Sequence, residues 1–263
     1  MNGPGGARVA PVPPAVDVGV VMALPIEAGD FRDRLKGLRK YATAGPPIVE
    51  GEHGGKLIGL VVSGAGREAA RRATELLIAG HSPRLLISAG FAGGLDPELR
   101  RDDLVLPDRV VTLDGGELAI PPVVEAFKGI RRMGGRLLTV DRLAARAVEK
   151  ADLRQRFAAD LVDMETWAVA RLAQDRLLPF VSLRVVSDTA DDELPGEIAP
   201  LLSRSGSYRV GAALRAVWNR PGSLKDFWNL HARALSAADR LATGLGRLLE
   251  ALPASAGGGP QVR

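Results

Sequence analysis

The stretch VDMETWAVARLAQDRLLPFVSLRVVSDTADDE, Val162 to Glu193, most restricts what this chain can become. Ala168, Leu172 and the Val169/Ala173 pair recur at three- and four-residue spacing, which predicts an amphipathic helix over Met164 to Arg176. Pro179 cannot continue that helix, and PFVSLRVV is β-branched and apolar enough for a strand buried on both faces. The strand ends in Ser187 and Asp188. In open α/β sheets, ligands bind outside the carboxyl ends of strands. An acid there, with Glu165 one turn into the preceding helix, makes a candidate carboxylate site.

The rest of the chain repeats this alternation. VDVGVVMA predicts a short buried strand running into Leu24-Pro25-Ile26-Glu27, where Pro25 suits the first turn of a helix carrying Phe31 and Leu35. Glu27 therefore also sits just past the end of a buried strand. IVEGEHGGKLIGLVVSG reads as a hairpin turning at His53-Gly54-Gly55. In SGAGREAARRATELLIAG, Ser63, Gly64 and Gly66 open an alanine-rich helix closing at Gly80. That turn is either an anion site or simply a tight structural turn. LLIS predicts a strand followed by a glycine-rich loop at Gly90, Gly93 and Gly94, which matches neither a P-loop nor a dinucleotide fingerprint. DDLVLPDRVVTLDGG predicts a strand pair, Glu117 to Met133 a loop with one short helix at most, GRLLTV a strand, and AARAVEKADLRQRFA a helix.

Leu194 to Tyr208 is irregular. Helices are expected at Val210 to Trp218 and from Leu224 to about Leu252, the latter with a stripe of Phe227, Leu230, Leu235, Leu241, Leu245 and Leu249 facing the sheet. Residues 1–15 and 253–263 are Pro/Gly-rich arms, leaving 16–252 as a single three-layer α/β/α domain.

Composition removes several function classes. The chain has no cysteine and three scattered histidines, which argues against disulfides, thiolate chemistry and Cys- or His-ligated metal sites. The formal net charge is +4, but the arginines fall in isolated pairs and aromatics make up 4%, a poor match to a nucleic-acid binder. No apolar run approaches the ~20 residues of a spanning helix, and the N-terminus lacks a signal-peptide pattern. The expectation is a cytoplasmic protein, with peripheral membrane contact left open.

Glu27, Glu165 and Asp188 are thus three acids placed at strand ends or helix starts. Taken singly, each is more simply a cap, a turn residue or half of an ion pair. As a set on one edge of a sheet, they suggest general acid/base chemistry on a neutral hydroxyl-bearing substrate such as a sugar, without metal or cofactor.

SGAGREAA, SAGFAGGLDPELRRDDLV, VDMETWAVA and RVVSDTADD, with ALPIEAGDF near the start, resemble the nucleoside phosphorylase/nucleosidase superfamily. The nearest broad branch is the 5′-methylthioadenosine/S-adenosylhomocysteine nucleosidases. The resemblance spans about Val18 to Asp192 and implies that family's mixed central sheet and a homodimer or larger assembly. It implies that Asp188 is the general acid protonating the purine ring, with Ser187 and Arg184 positioning its carboxylate. Glu165 would bind the ribose hydroxyls, Met164 would pack against the sugar, and Glu27 would orient or deprotonate the attacking water. The turn from Phe91 to Gly93 would line ribose and base.

The chain departs from that pattern at Phe91, which stands where the nucleosidases have serine, and in a short segment between Val111 and Val140. Leu143 takes the place of a base-stacking phenylalanine. ELPGEIAPLLSRSGSYRVGAALRAVWNRPGSLKDFWNL further resembles the hopanoid-associated phosphorylases, which implies removal of adenine from adenosylhopane and a greasier pocket. Phosphorolytic relatives hold phosphate with arginines, one placed where this chain has Ser88. Arg67 is the possible substitute, and hydrolysis is the favoured expectation. A non-catalytic nucleoside-binding or membrane-associated module is the reading from another class.

Overall fold

A computed structural model describes residues 15–125, 128–194 and 223–253, with the side chains of 223–230 left aside. The expected helix at Val210 to Trp218, most of the segment carrying the hopanoid-associated resemblance, and nearly all of both arms lie outside these residues.

The order is β1 (Val18–Met22), α1 (Pro25–Arg32), β2 (Lys36–Tyr41), β3 (Ile48–His53), β4 (Lys56–Val62), α2 (Arg67–His81) and β5 (Leu85–Gly94). There follow β6 (Leu104–Leu106), β7 (Arg109–Thr112), β8 (Glu117–Ala119), β9 (Arg132–Met133), β10 (Arg136–Thr139), α3 (Ala147–Phe157), β11 (Leu161–Asp163), α4 (Thr166–Asp175), β12 (Phe180–Asp188) and α5 (Ser223–Ala251). The sheet is mixed and runs β2-β3-β4-β1-β5-β11-β10-β7-β8, with β12 also on β5 and β6 on β12. Helices cover both faces. Val21, Leu86 and Val61 pack with Ala70, Ala73 and Leu77 of α2 and Val169 of α4. On the other face, Ile87, Leu183 and Val185 pack with Phe31 of α1 and Leu241, Leu245 and Leu248 of α5. The three-layer α/β/α architecture follows from a central sheet apolar on both sides.

β5 is the spine. One edge pairs in parallel with β12 from Leu86 to Gly93. The opposite edge pairs with β1 only from Leu85 to Ser88, then antiparallel with β11 at Gly93 and Gly94. Between these two partners the edge at 89–92 has neither, and a notch opens.

Several expectations need correction. The glycine-rich stretch after Ser88 is not a loop, and Phe91 to Gly93 is not a turn. Both are β5, because small residues there let β12 and β11 approach closely. β11, three residues long, is too short for a period to reveal. α4 begins at Thr166, so Glu165 caps the helix instead of lying one turn inside it. β2 (KGLRKY) is a charged, exposed edge strand with a register shift next to Gly37 at φ +64°; charge and a bulge are how edges avoid foreign pairing, and they hide the strand from pattern reading. β6 and β7 exist, but they pair with other strands and not with each other. Glu117 to Met133 contains β8 and β9, with no helix among its described residues. In α5, Leu235 is 47% exposed, and Ala237, Ala238 and Leu248 stand in the buried stripe instead.

Candidate active site

The floor of the notch is a cation between carboxylates. Arg184, on β12, is 2% exposed. Its guanidinium lies 3.0 Å from Asp163 Oδ2 and donates to Ser88 Oγ and Thr166 Oγ1, both at 2.5 Å. Asp163 is fixed in turn: Thr139 Oγ1 donates to Oδ1, while the Thr166 N–H and hydroxyl donate to Oδ2, tying the acid to the first turn of α4. Arg184 therefore does not touch Asp188, contrary to the role implied for it. Its partners are Asp163, Ser88 and Thr166.

Glu27 lies over this cation. As the third residue of α1 it reaches back to the chain before the helix: the N–H groups of Ala23 and Leu24 donate to Oε2 at 2.9 and 2.8 Å. The Phe91 N–H, on the unpaired edge of β5, donates to Oε1 at 2.8 Å. Burial pushes the Glu27 carboxyl above its ordinary range against these hydrogen bonds and the Arg184 charge, which pull it down. A Cβ on Gly90 would fall 2.8 Å from Arg184 Nη1 and 2.9 Å from Glu27 Oε1. Only glycine leaves both side chains in place.

Glu165 closes another side of the notch. The Gly66 N–H donates to its Oε1 at 2.6 Å, and Gly66 presents that N–H from φ +97°. The SGAG turn thus holds a side chain of this chain, the Glu165 carboxyl. Burial first, then the Asp163 charge, and further the Glu27 charge push the Glu165 carboxyl up to about 8. Glu165 and Glu27 line one small cavity with Ser63, Ser88, Gly90 and Arg184. Met164, beside Glu165, faces an open cleft of about 700 Å³ together with Gly66, Arg67, Asp141 and Trp167.

Asp188 ends β12 against Gly93. Ser187 Oγ donates to its Oδ1 at 2.6 Å, as the resemblance implies. Its Oδ2 lies 2.5 Å from Lys150 Nζ, a partner that sequence reading missed. The signal was present: Lys150 falls in a stripe with Leu153 and Phe157, three and seven residues on, where a lysine is out of place. Asp163 was missed too, since nothing local separates it from an ordinary helix cap. Phe91 gives its N–H to Glu27, and its ring packs on the α1/α5-side core, partly exposed. Leu143 is partly exposed in the loop between β10 and α3.

The family model described as the phosphorylase superfamily matches residues 17–215. The chain is 28% identical over 226 residues to a 5′-methylthioadenosine/S-adenosylhomocysteine nucleosidase of Tolumonas auensis, covering 75% of this chain and 98% of the relative. Among solved structures, the Neisseria meningitidis 5′-methylthioadenosine/S-adenosylhomocysteine nucleosidase superposes with a TM-score of 0.70 at 22% identity, over 89% of this chain and 99% of that one. A futalosine hydrolase of Helicobacter pylori gives 0.65 at 18% identity, over 91% and 98%. With more than half of its length matched by the family model, and the same layered sheet, the chain belongs to the phosphorylase superfamily.

Proposed function

We propose that the protein is a purine nucleosidase that hydrolyses the N-glycosidic bond of an adenosine derivative and releases adenine. The observation that carries this reading is the spacing of acids along β5. Glu27 is held at Gly90 and Phe91, and Asp188 lies against Gly93. Two to three residues of strand at about 3.3 Å each set the two attachment points roughly 7–10 Å apart, the order of a nucleoside's length. Glu27 and Glu165 then face the sugar, and Asp188 faces the base.

The chemistry divides accordingly. Water attacks C1′ as the bond to the purine nitrogen breaks. Glu27, made more basic by burial, takes the water proton, and Asp188 delivers a proton to the leaving base. Positive charge developing on the sugar is met by the Glu27 carboxylate. Glu165 retains its proton near neutrality and so can both donate to and accept from ribose hydroxyls, with Met164 beside it against the sugar.

Hydrolysis is favoured over phosphorolysis by the state of the arginines. Arg67 is committed to Asp141 through two hydrogen bonds at 2.7 and 2.5 Å. Arg184 is committed to Asp163, and Ser88 is its ligand. An orthophosphate entering beside Glu27 would meet carboxylates and no uncommitted guanidinium of these two.

Adenine release from methylthioadenosine, S-adenosylhomocysteine and adenosylhopane, each with and without phosphate, tests the reading. Release at the same rate in both buffers is expected. Strict dependence on phosphate would replace the hydrolase with a phosphorylase, and no release from any substrate would leave a binding module. Release from adenosylhopane alone would support the substrate that the 193–230 segment implies.

A further inference from the structure

Asp188 is gripped at both oxygens, and one grip comes from a residue outside the set named by the family resemblance. Lys150, in the middle of α3, is 0% exposed. Besides Asp188 Oδ2, its ammonium donates to the carbonyl oxygens of Thr189 at 2.6 Å and Asp192 at 3.1 Å. Those three acceptors account for all three N–H donors of a lysine. All three belong to the end of β12 and the turn after it. Burying an ammonium is costly unless a partner charge is held in place, and a tie between a helix and a turn needs no charge at all. The charge is there for the carboxylate.

We infer that Lys150 is a positioning residue for the acid: it fixes Asp188 Oδ2 and the 188–192 turn opposite the leaving base, and its charge stabilises the carboxylate left once the proton has moved. The inference rests on the reading of Asp188 as the acid. The groups around Asp188 leave Lys150 as the cation in contact with it. Ser187 is neutral, and Gly93 and Val162 bring no charge from β5 and β11. Asp192 is turned to the Thr189 N–H and hydroxyl and to Arg101. Glu149, next to Lys150 on α3, is engaged by Arg146 and the Ala145 N–H. Arg184 is paired to Asp163.

Lys150→Gln keeps hydrogen-bonding capacity and removes the charge. With the cation gone, the protonated form of a neighbouring carboxyl persists to higher pH. The alkaline limb of kcat/KM is therefore expected to move to higher pH, while misplacement of the acid lowers kcat by roughly 10- to 100-fold. Lys150→Arg keeps the charge but not the fit, so its kcat falls with the limb unmoved. A Gln variant whose limb stays at the wild-type pH overturns the inference, whatever its kcat. If the Gln variant does not fold, an Arg variant with wild-type kcat overturns it. Asp188→Asn, run in parallel, separates the two claims: if it stays active, the acid assignment itself fails; if it is dead while Lys150→Gln keeps the wild-type profile, only the role of Lys150 fails.

Discussion

At the scale of single residues, the notch is built from acids held in different environments. Glu165 is surrounded by other carboxylates and keeps its proton; Glu27 is held by three backbone N–H groups and shares its cation, Arg184, with Asp163. Asp188→Asn removes the transferable proton with little change in shape. Steady-state kinetics should show kcat falling by on the order of 10²–10⁴, the usual contribution of a general acid. Calorimetric binding of a substrate analogue should stay near wild type, and unchanged turnover would refute the assignment. Glu27, Glu165 and Asp188 were legible in the sequence because each stands at the border of a strongly patterned element. Asp163, Lys150 and the true partners of Arg184 were not, because their meaning depends on contacts between segments far apart in the chain. Arg184 and Ser88 are 96 positions apart, and Lys150 and Thr189 are 39 apart.

At the scale of elements, hydrophobic period revealed the long or fully buried ones, β1, β4, α2, β12 and α5. It failed where pairing is set by a neighbour: β11 exists because β10 and the end of β5 offer it ladders, and β2 because β3 has an edge to cover. In α5 the period was right, but of the stripe positions with described side chains Leu235 was misassigned, while Phe227 and Leu230 lie outside them, and this gives a matched pair for experiment. Leu241→Ala, at a site with no exposure, should destabilise the fold by about 2–5 kcal/mol. Leu235→Ala, at a site 47% exposed, should stay within about 0.5 kcal/mol. Urea denaturation of both variants checks the face of the helix directly, and equal losses would mean that Leu235 is covered.

At the scale of the whole molecule, the raised carboxyls make folding depend on pH near neutrality. A carboxyl lifted from 4.5 to about 8 binds a proton in the folded chain that the unfolded chain has already lost, so stability falls as pH rises through that window. His81 acts with the opposite sign: burial lowers it from 6.5, so the folded chain resists its protonation and stability is lost as pH falls below that value. Above pH 7 the histidine is neutral in both folded and unfolded chain and adds no slope, so Tm of the free protein should decline toward pH 8. Glu165→Gln should flatten that decline in a thermal melt series; an unaltered slope would place the effect elsewhere. The notch in the sheet also has a bearing on which changes the protein can survive. Because Glu27 and Asp188 are registered along one continuous strand, β5 works as a ruler graduated by peptide geometry, and its length does not depend on which side chains surround it. Substitution can reshape the walls around Phe91 without stretching the scale. One residue inserted between Gly90 and Gly93 would lengthen it by a strand step and turn every later side chain of β5 to the opposite face.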